Sequence, residues 1–494
     1  MFRRAILTSL CLLTLAACGD SGNGDLHVAY ADSRENLLET GVRLSPGGQT
    51  LRAALQSGLV ALNPEGEIVP ALAESWIVTD DGRSYIFRLR DERWPDGSAM
   101  TAQSVRDLLA RRLDQLDGTS LGLDLVQVDE VRAMAGRVIE IRLEGVQPAL
   151  LQLLAQPELG LAPNGESTGA MTIDELVGKN SLRLSLRPPE QRGLPEEEDW
   201  ADYARPLILR AEGIAEAAQM FDSGDIDILL GGTINGLPFV DVGPLSRGTV
   251  RLDPAIGLFG LHVRRARGPL ADAGVREGIA MALDRPALLQ AFSIGGWSPT
   301  TRIVPPGLPD DPGLIPERWE DTPIAELRSR AGGRVAAWRA GSGENTGEAL
   351  YPVTIAMAQG PGFDRLLDRL SNQFRTIGLD LRRVEKATDA DILLVDSVAR
   401  YASPSWFLNQ FNCSLKRGLC NSGADALVAQ AASEPDQAER ARLLAEAEAQ
   451  MTISNIYIPF GPPLRWSLVR GNMEGFAINP WAFHPLPDLA QIPR

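Results

Sequence analysis

One segment of the chain, residues 363–384, carries a helix pattern and a strand pattern in direct succession. Its apolar residues recur at the three- and four-residue spacing of a single helix face: Phe363, Leu366, Leu367, Leu370 and Phe374. Gly378 follows, and glycine readily adopts the left-handed conformation that ends many helices. The next residues, Leu379 to Val384, form a predicted strand. A helix that leads straight into a strand limits the chain to folds that mix the two elements.

Strand and helix patterns alternate along the rest of the chain as well. The stretch RSYIFRLR places Tyr85, Phe87 and Leu89 on one face of a strand, and Thr101 is the predicted N-cap of the helix that follows. The 494 residues suffice for two or three domains with cores of their own. We therefore predict an α/β (mixed α+β) fold.

The N-terminus has the pattern of an export signal. Arg3 and Arg4 precede an apolar run that ends at Ala17, which is too short to span a bilayer comfortably. The sequence LAAC, ending at Cys18, resembles the lipobox of bacterial lipoproteins, in which the cysteine is lipidated and becomes the new N-terminus. That resemblance implies a signal peptide over residues 1–17 and a lipidated tether over residues 18–25. An ordinary cleavable signal with a chance cysteine is the alternative.

Two further cysteines, Cys413 and Cys420, lie in the stretch NCSLKRGLCN. An exported compartment favours a disulfide between them. A metal site is the alternative, but it needs further ligands, and His27, His262 and His484 are all distant in sequence. We therefore expect a disulfide, no metal and no cofactor.

Charge and motifs exclude several function classes. The 64 acidic residues against 48 basic ones give a net charge of −16, which argues against nucleic-acid binding. The chain has no phosphate-binding loop of the G-x-x-x-x-G-K-[ST] type. The stretch GESTG around Ser167 fits the nucleophile elbow of serine hydrolases, but its flanking residues match a loop better than the required strand and helix.

A long ordered series of segments resembles the extracellular solute-binding proteins of family 5, the peptide- and nickel-binding components of ABC importers. The N-terminal part of that pattern is present as GLV (58–60), PALAESW (70–76), DG (81–82), YIFRLR (85–90) and WPDG (94–97). Later segments follow in the same order, as FDSGDIDILL, PLADAGVREGIAMALDRPALL, FRTIGLDLRRV and DQAERARLLAEAEAQMTISNIYIPF. The resemblance spans residues 26–489.

The resemblance implies a two-lobed binding protein of the large type II class, with a solute held between lobes that close by hinge motion. It implies a first lobe built from residues 26–45, 155–247 and 466–494, an extra subdomain over 46–154, and a second lobe over 248–465. The expected partners are a small solute or short peptide, the permease subunits of an ABC transporter, and the membrane through the lipid anchor. We expect a monomer whose body lies in the periplasm or otherwise outside the cytoplasm, without catalytic activity.

The second-lobe motif departs from the family pattern W-x-x-D-x-x-D/E-P, whose first Asp pairs with a peptide's α-ammonium group. Here Ser397 takes the place of the Trp, Arg400 that of the Asp, and Ser403 that of the second acid. A guanidinium repels an ammonium ion and favours carboxylate or phosphate groups. We predict that Arg400 anchors an acidic or neutral solute, with Tyr401 and Trp406 beside it. The alternative is that Arg400 pairs with a nearby acid such as Asp396.

Two other functions stay open at this point. An exported hydrolase would use Ser167 as its nucleophile, with His262 or His484 as the base. A sensor or scaffold would keep the binding-protein fold without transport. Sequence alone identifies neither the solute nor the membrane that holds the lipid, because proteins of this kind differ in a few residues of the cleft.

Overall fold

The computed structural model describes residues 24–240, 248–290, 292, 295–343, 348–471 and 473–492. The predicted signal peptide and the lipidated Cys18 lie outside the described residues. The structure confirms the mixed α/β architecture, which is organised around two main sheets and a smaller four-stranded one.

The strands are, in chain order, β1 (Leu26–Ala31), β2 (Val60–Leu62), β3 (Ile68–Pro70), β4 (Ala73–Val78), β5 (Ser84–Leu89), β6 (Val128–Ala133), β7 (Val138–Leu143), β8 (Met171–Val177), β9 (Ser181–Leu186), β10 (Leu207–Glu212), β11 (Ile228–Gly232), β12 (Val250–Leu252), β13 (Gly257–Val263), β14 (Tyr351–Ala356), β15 (Leu379–Val384), β16 (Ile392–Val398), β17 (Tyr457–Gly461) and β18 (Trp466–Val469).

The α-helices are α1 (Arg34–Leu37), α2 (Pro46–Leu55), α3 (Ala102–Gln115), α4 (Ser120–Asp124), α5 (Leu150–Leu154), α6 (Ile214–Ser223), α7 (Ala273–Ala282), α8 (Arg285–Gln290), α9 (Ile324–Ser342), α10 (Pro361–Arg375), α11 (Pro404–Asn409), α12 (Ser422–Ser433), α13 (Gln437–Ser454) and α14 (Leu486–Leu489). Within the described part of the chain, none of these helices is both long and apolar enough to cross a membrane.

The first lobe is built on a seven-stranded sheet with the order β12-β18-β11-β1-β10-β9-β8. Strand β1 is central and pairs in parallel with β10 and β11, which are nearly two hundred residues away in sequence. Helix α2 packs on this lobe, since Leu51 and Ala54 share a core cluster with Val28 and Leu209. The structure thus places α2 with the first lobe, whereas the sequence assigned residues from 46 onward to the extra subdomain.

The second lobe is built on a five-stranded sheet with the order β15-β14-β16-β13-β17. The helix and strand predicted at residues 363–384 are present as α10 and β15, and Gly378 between them has a φ of 89°. Leu366, Leu370 and Phe374 are buried, as expected for the inner face of an amphipathic helix.

The extra subdomain is a four-stranded antiparallel sheet, β4-β5-β7-β6, covered by α3. The predicted strand face is correct, because Tyr85, Phe87 and Leu89 are all buried. Thr101 caps α3 as predicted: its hydroxyl accepts a hydrogen bond from the amide of Ser104, and the Ser104 hydroxyl accepts one from the Thr101 amide.

The chain crosses between the two main sheets twice, once between β12 and β13 and once between β17 and β18. The crossings are joined, since the amide of Asp253 donates to the carbonyl of Arg465 at 3.0 Å. Because β12 pairs with β18, the first-lobe sheet extends beyond the boundary predicted at residue 247. These two segments connect the lobes, and we call them the hinge.

The extra subdomain and the second lobe share one hydrophobic core in this structure. Helix α4 of the subdomain contacts α11 of the second lobe, and Leu121 and Leu125 belong to the same buried cluster as Phe407 and Phe411. The two parts therefore lie against each other through this shared core.

Candidate ligand-binding site

A cavity of about 530 Å³ lies at the hinge, and we call it the hinge pocket. Its walls come from both crossings and from the loop that follows α8. The lining residues are 252–258, 295–300, 302, 303, 305, 306, 317, 457, 459, 461–464 and 478. Its volume lies within the usual range for small-molecule sites, roughly 300–1,000 Å³.

The walls of the hinge pocket are mainly apolar and rich in proline. The prolines come from both crossings and the loop between them: Pro254, Pro299, Pro305, Pro306, Pro459, Pro462 and Pro463. Proline has no N–H to donate and fixes its own φ, so these walls are stiff and offer few backbone donors. Leu252 and Ile478 are apolar but exposed, and both belong to the lining.

A close backbone approach shapes one wall. The indole of Trp297 lies against Gly461, where a Cβ atom would be only 2.4 Å from the ring, and its N–H donates to the carbonyl of Pro462 at 2.9 Å. A side chain at position 461 would displace the ring. The absence of a side chain on Gly461 therefore lets the loop close over the second crossing.

The arginine of the hinge pocket is already paired with carboxylates. Arg302 is bidentate to Asp311, at 3.1 and 3.0 Å, and also donates to Glu448 at 2.9 Å. Burial raises the pKa of Glu448, although Arg302 opposes the shift. A guanidinium held by two carboxylates has little donor capacity left for a ligand.

The other two charged lining residues are also satisfied. Glu317 accepts hydrogen bonds from the hydroxyls of Thr300 and Thr301 and from the Thr301 amide. Asp253 accepts from the amide of Asn479 at 3.0 Å and faces the His484 ring at 3.3 Å. Both carboxylates are therefore hydrogen-bonded, but among the described residues neither forms a salt bridge with an Arg or Lys side chain.

One polar group of the lining has no partner. The hydroxyl of Tyr457 is buried, and no hydrogen-bond partner for it exists among the described residues. It lies beside Gly260, where a Cβ atom would come within 2.7 Å of it. Burial, together with the charge of Asp396, raises the pKa of Tyr457 well above its usual value. The group is therefore a neutral donor and acceptor at any physiological pH.

Arg400, the predicted anchor, makes its contacts across the interface between lobes. Its guanidinium donates to both carboxylate oxygens of Glu158, at 2.8 and 3.1 Å, and to the side-chain carbonyl of Gln156 at 2.9 Å. The Gln156 amide in turn donates to the Arg400 carbonyl at 3.3 Å. Glu158 is 2% exposed and follows α5, 242 residues earlier in the chain. Asp396, the acid suggested by sequence, is instead paired with Arg465.

A second polar contact joins the lobes nearby. Asp124, at the end of α4, accepts a 2.8 Å hydrogen bond from the side-chain amide of Asn409 on α11. Burial raises the pKa of Asp124 to about 7, against the opposing effects of Asn409, Tyr401 and Arg400. We call these two contacts the seam; it comprises Asp124, Gln156, Glu158, Arg400 and Asn409.

The remaining predicted ligand residues lie beside the seam and outside the lining of the hinge pocket. Tyr401 and Trp406 are buried in the core shared with the subdomain. Ser403 caps α11 by accepting from the Ser405 amide, and Ser397 is exposed on β16. The segment is still adjacent to the pocket, because the amide that precedes Arg400 donates to the carbonyl of Ile256, a lining residue.

The hydrolase arrangement is not assembled. Ser167 lies in a loop before β8, and its hydroxyl donates to the carbonyls of Leu55 and Met171. His262 and His484, the two candidate bases, contact the Leu419 carbonyl and Asp253 respectively. Neither histidine is paired with the serine, so the geometry gives no activated nucleophile.

A disulfide joins Cys413 and Cys420, whose Cα atoms are 5.2 Å apart. It closes the short loop before α12. Across the described ranges, no group of three or more His, Cys, Asp or Glu side chains is arranged to hold a metal ion.

The model of the bacterial extracellular solute-binding proteins, family 5 (middle), matches residues 67–418. The chain belongs to this family. Family 5 proteins are solute-binding components of ABC importers, so the chain binds a peptide or related solute outside the cytoplasm and is not an enzyme.

Two relatives illustrate the range of the family. The dipeptide-binding protein DppE of Bacillus subtilis is 22% identical over 436 residues, which cover 80% of this chain and 78% of the relative. The probable deoxycholate-binding periplasmic protein YgiS of Escherichia coli is 22% identical over 485 residues, covering 86% and 85%. The two names differ widely in the solute they specify.

Solved structures confirm the two-lobed fold. The murein tripeptide-binding protein MppA of Escherichia coli superposes with a TM-score of 0.80 at 20% identity, over 95% of this chain and 99% of the other. The unliganded open form of MppA scores only 0.63 over 95% and 97%. Both structures are of the same protein, and the first one has the higher TM-score. The lobes of this family 5 chain are therefore arranged more as in the first structure than as in the open form.

Sequence reasoning missed the hinge pocket of this family 5 protein. Its lining is brought together from segments that are far apart in the chain, and none of them carries a catalytic or charged motif. The one available signal was proline, which is concentrated in PFGPPL at 459–464 and VPP at 304–306. Such runs mark stiff segments, and in this fold they form the walls of the pocket.

Proposed function

We propose that this chain is the lipid-anchored receptor of an ABC importer, which captures a small or peptide-like solute between its lobes and presents it to the permease. The observation that carries the proposal is the hinge pocket. It has the size of a small-molecule site, and residues of both crossings between the lobes line it, in a chain of family 5. Hinge closure over such a site is a standard mode of solute capture.

The lipid anchor is supported by the lipobox-like sequence ending at Cys18. A lipid chain would keep the receptor near its permease while the body stays in water. Mass spectrometry of the purified mature chain tests this: we expect acyl chains on an N-terminal Cys18, and a Cys18→Ala variant that leaves the membrane fraction. An unmodified N-terminus elsewhere would remove the anchor from the proposal.

The names of two relatives, which specify a dipeptide and deoxycholate, support a broad range of candidate solutes. The seam residue Arg400 remains a candidate anchor, together with Tyr401, Ser403, Trp406 and Ser397. An anionic solute would have to replace Glu158 as its partner. Such an exchange would also break the hydrogen bond from Arg400 to the side-chain carbonyl of Gln156.

Thermal unfolding of the chain from residue 19 onward, carried out against short peptides, acidic metabolites and neutral apolar compounds, tests the receptor function. A solute that binds only the folded state stabilises it by about 2.7 kcal/mol at a hundredfold excess over its Kd. A shift with any class supports the receptor. No shift across the whole set would favour the alternative of a sensor or scaffold that has lost transport.

The role of Arg400 is tested separately, with Arg400→Ala and an Arg400→Ala/Glu158→Gln double variant. If Arg400 anchors an acidic solute, both variants lose affinity for that solute by the same factor. If Arg400 serves only to neutralise Glu158, the double variant regains the parent affinity, because its buried carboxylate is gone.

A further inference from the structure

We infer that the chain has a second ligand site, in a cavity between the first lobe and its extra subdomain, and that this site binds a small organic oxyanion, a carboxylate or sulfonate with an apolar body. The guanidinium groups of Arg90 and Arg192 form its polar part. The inference goes beyond the receptor function, because it concerns a different cavity from the hinge pocket.

The cavity has a volume of about 320 Å³, at the lower end of the range for small-molecule sites, and we call it the arginine pocket. Its walls come from the end of α2, the β2–β3 hairpin, the residues after β5 and the segment 483–491. Apolar side chains contribute much of the lining, among them Val60, Leu62, Val69, Leu72 and Phe483. Among the described residues, none lines both this cavity and the hinge pocket, so a ligand in one does not displace a ligand in the other.

The first argument is the isolated charge of Arg192. This residue ends a short 3-10 helix, Pro189–Arg192, and its guanidinium forms neither a hydrogen bond nor a salt bridge within the described part of the chain. Burial, together with the charges of Arg187 and Arg90, lowers the pKa of Arg192. Its Nε is covered by protein, whereas both Nη atoms stay accessible. A charge withdrawn from water normally has a counter-charge or acceptors, and here a ligand in the cavity would supply them.

The second argument is a neighbouring guanidinium that also has free donors. Gly193 has a φ of 64°, and a Cβ atom there would lie 3.1 Å from the Cβ of Arg90, which shows how closely the two segments approach. The Nε of Arg90 donates to the Ala71 carbonyl at 2.7 Å, while its Nη atoms have no partner among the residues that the structure describes. Two unneutralised guanidinium groups at one cavity favour an oxyanion, which accepts hydrogen bonds in pairs from such groups.

The third argument concerns the two carboxylates of the lining, neither of which pairs with Arg192. Glu92 is 5% exposed and accepts a hydrogen bond from Arg187 at 3.3 Å. Asp488, on α14, forms no salt bridge with any described Arg or Lys side chain. Burial raises the pKa of Asp488 to about 6; the charge of Glu65 adds to the shift and that of Arg192 opposes it. The pocket therefore becomes more positive as the pH falls through 6.

The test compares two compounds of the same shape. Isothermal titration calorimetry is performed with butane-1-sulfonate, which keeps its negative charge at every pH used, and with the neutral butane-1-sulfonamide. We expect the sulfonate to bind at least tenfold more tightly. Between pH 7.5 and pH 5.0 its affinity should rise about three- to tenfold, because protonated Asp488 no longer repels it. Asp488→Asn should show the higher affinity at both pH values.

A variant of the unpartnered arginine locates the binding. Arg192→Met should weaken the sulfonate at least tenfold and leave the Tm without ligand unchanged or higher, because no partner in the protein loses its counter-charge. The matched control is Arg88→Met on β5. It removes the same charge two residues before Arg90, but Arg88 pairs with Glu74 at the surface and lies outside the lining. Its affinity for the sulfonate should stay within twofold of the parent.

Four outcomes overturn the inference. They are equal binding of the sulfonate and the sulfonamide, unchanged affinity in Arg192→Met, no binding of the sulfonate at pH 5.0, or a lower Tm of ligand-free Arg192→Met, which would mean that the guanidinium already stabilises the fold. The hinge pocket is a separate cavity, so none of these outcomes bears on the receptor function.

Discussion

The hinge pocket and the seam lie between the same two lobes and are built in opposite ways. In the seam the strong polar contacts cross the interface, as in Arg400 with Glu158 and Asn409 with Asp124. Beside the pocket, Arg302 instead pairs with Asp311 and Glu448 of its own lobe. Opening the lobes therefore breaks the seam and leaves the pocket walls intact. The difference predicts that the ion pair and hydrogen bonds of the seam resist opening of the lobes, whereas the ion pairs beside the pocket do not.

The largest effect should come from Arg400→Met, which removes the ionic partner of Glu158. Breaking a buried ion pair by deleting one side costs about 3–5 kcal/mol. Because Glu158 can regain water if the lobes separate, we expect opening before unfolding. Small-angle X-ray scattering should show a larger radius of gyration than in the parent.

The control for this prediction is Glu158→Gln added to Arg400→Met, which removes the unpaired charge and should restore the compact form. Arg442→Met serves as a surface reference, since Arg442 pairs with exposed Glu439 and Glu446 and such pairs contribute at most about 1 kcal/mol. Unchanged scattering in Arg400→Met would show that the seam does not hold the lobes together.

The second effect is a pH dependence that originates at Asp124. Its pKa of about 7 in the folded chain lies above the ordinary value near 4, so the folded state takes up a proton between these limits. The stabilisation is fully present below about pH 4 and is lost as the pH rises through 7. Asn409, Tyr401 and Arg400 are the groups that face it.

Asp124→Asn should flatten this dependence, because the amide keeps an acceptor for Asn409 and carries no charge. At pH 8 we expect the variant to be more stable than the parent by on the order of 2–3 kcal/mol, and at pH 4 the two should be similar. Urea unfolding at pH 4, 6 and 8 measures the difference. If the free energy of unfolding changes with pH in the same way in both proteins, a group other than Asp124 causes the pH dependence.

The same two regions show what the sequence could and could not predict. The α10–β15 unit and the Thr101 cap were predictable, because each depends on residues within a few positions of one another. The partner of Arg400 was not: local reasoning suggested Asp396, whereas Glu158 is 242 residues away. The hinge pocket depends entirely on such distant contacts, so only its prolines gave a signal.

A smaller effect is expected from the disulfide between Cys413 and Cys420. Its loop is short, so the loss of unfolded-state entropy predicts only about 2 kcal/mol of stabilisation. Cys413→Ser/Cys420→Ser should lower the free energy of unfolding by that amount without changing solute affinity, because neither cysteine lines the hinge pocket. Reduction of the parent should have the same effect; a loss of affinity would link this loop to the site.

The smallest effect on stability should come from Tyr457→Phe, and it contrasts directly with the seam. Removing one partner of a paired buried group leaves the other unsatisfied, but the Tyr457 hydroxyl has no partner to leave behind. We expect the free energy of unfolding without solute to stay within about 1 kcal/mol or to rise slightly, whereas Tyr85→Phe should lose about 1 kcal/mol with its bond to the Gln147 carbonyl. Chemical denaturation of both variants measures this. A large loss in Tyr457→Phe would mean that its hydroxyl supports the fold, and a near-neutral result would confirm that the hydroxyl makes no bond that stabilises it.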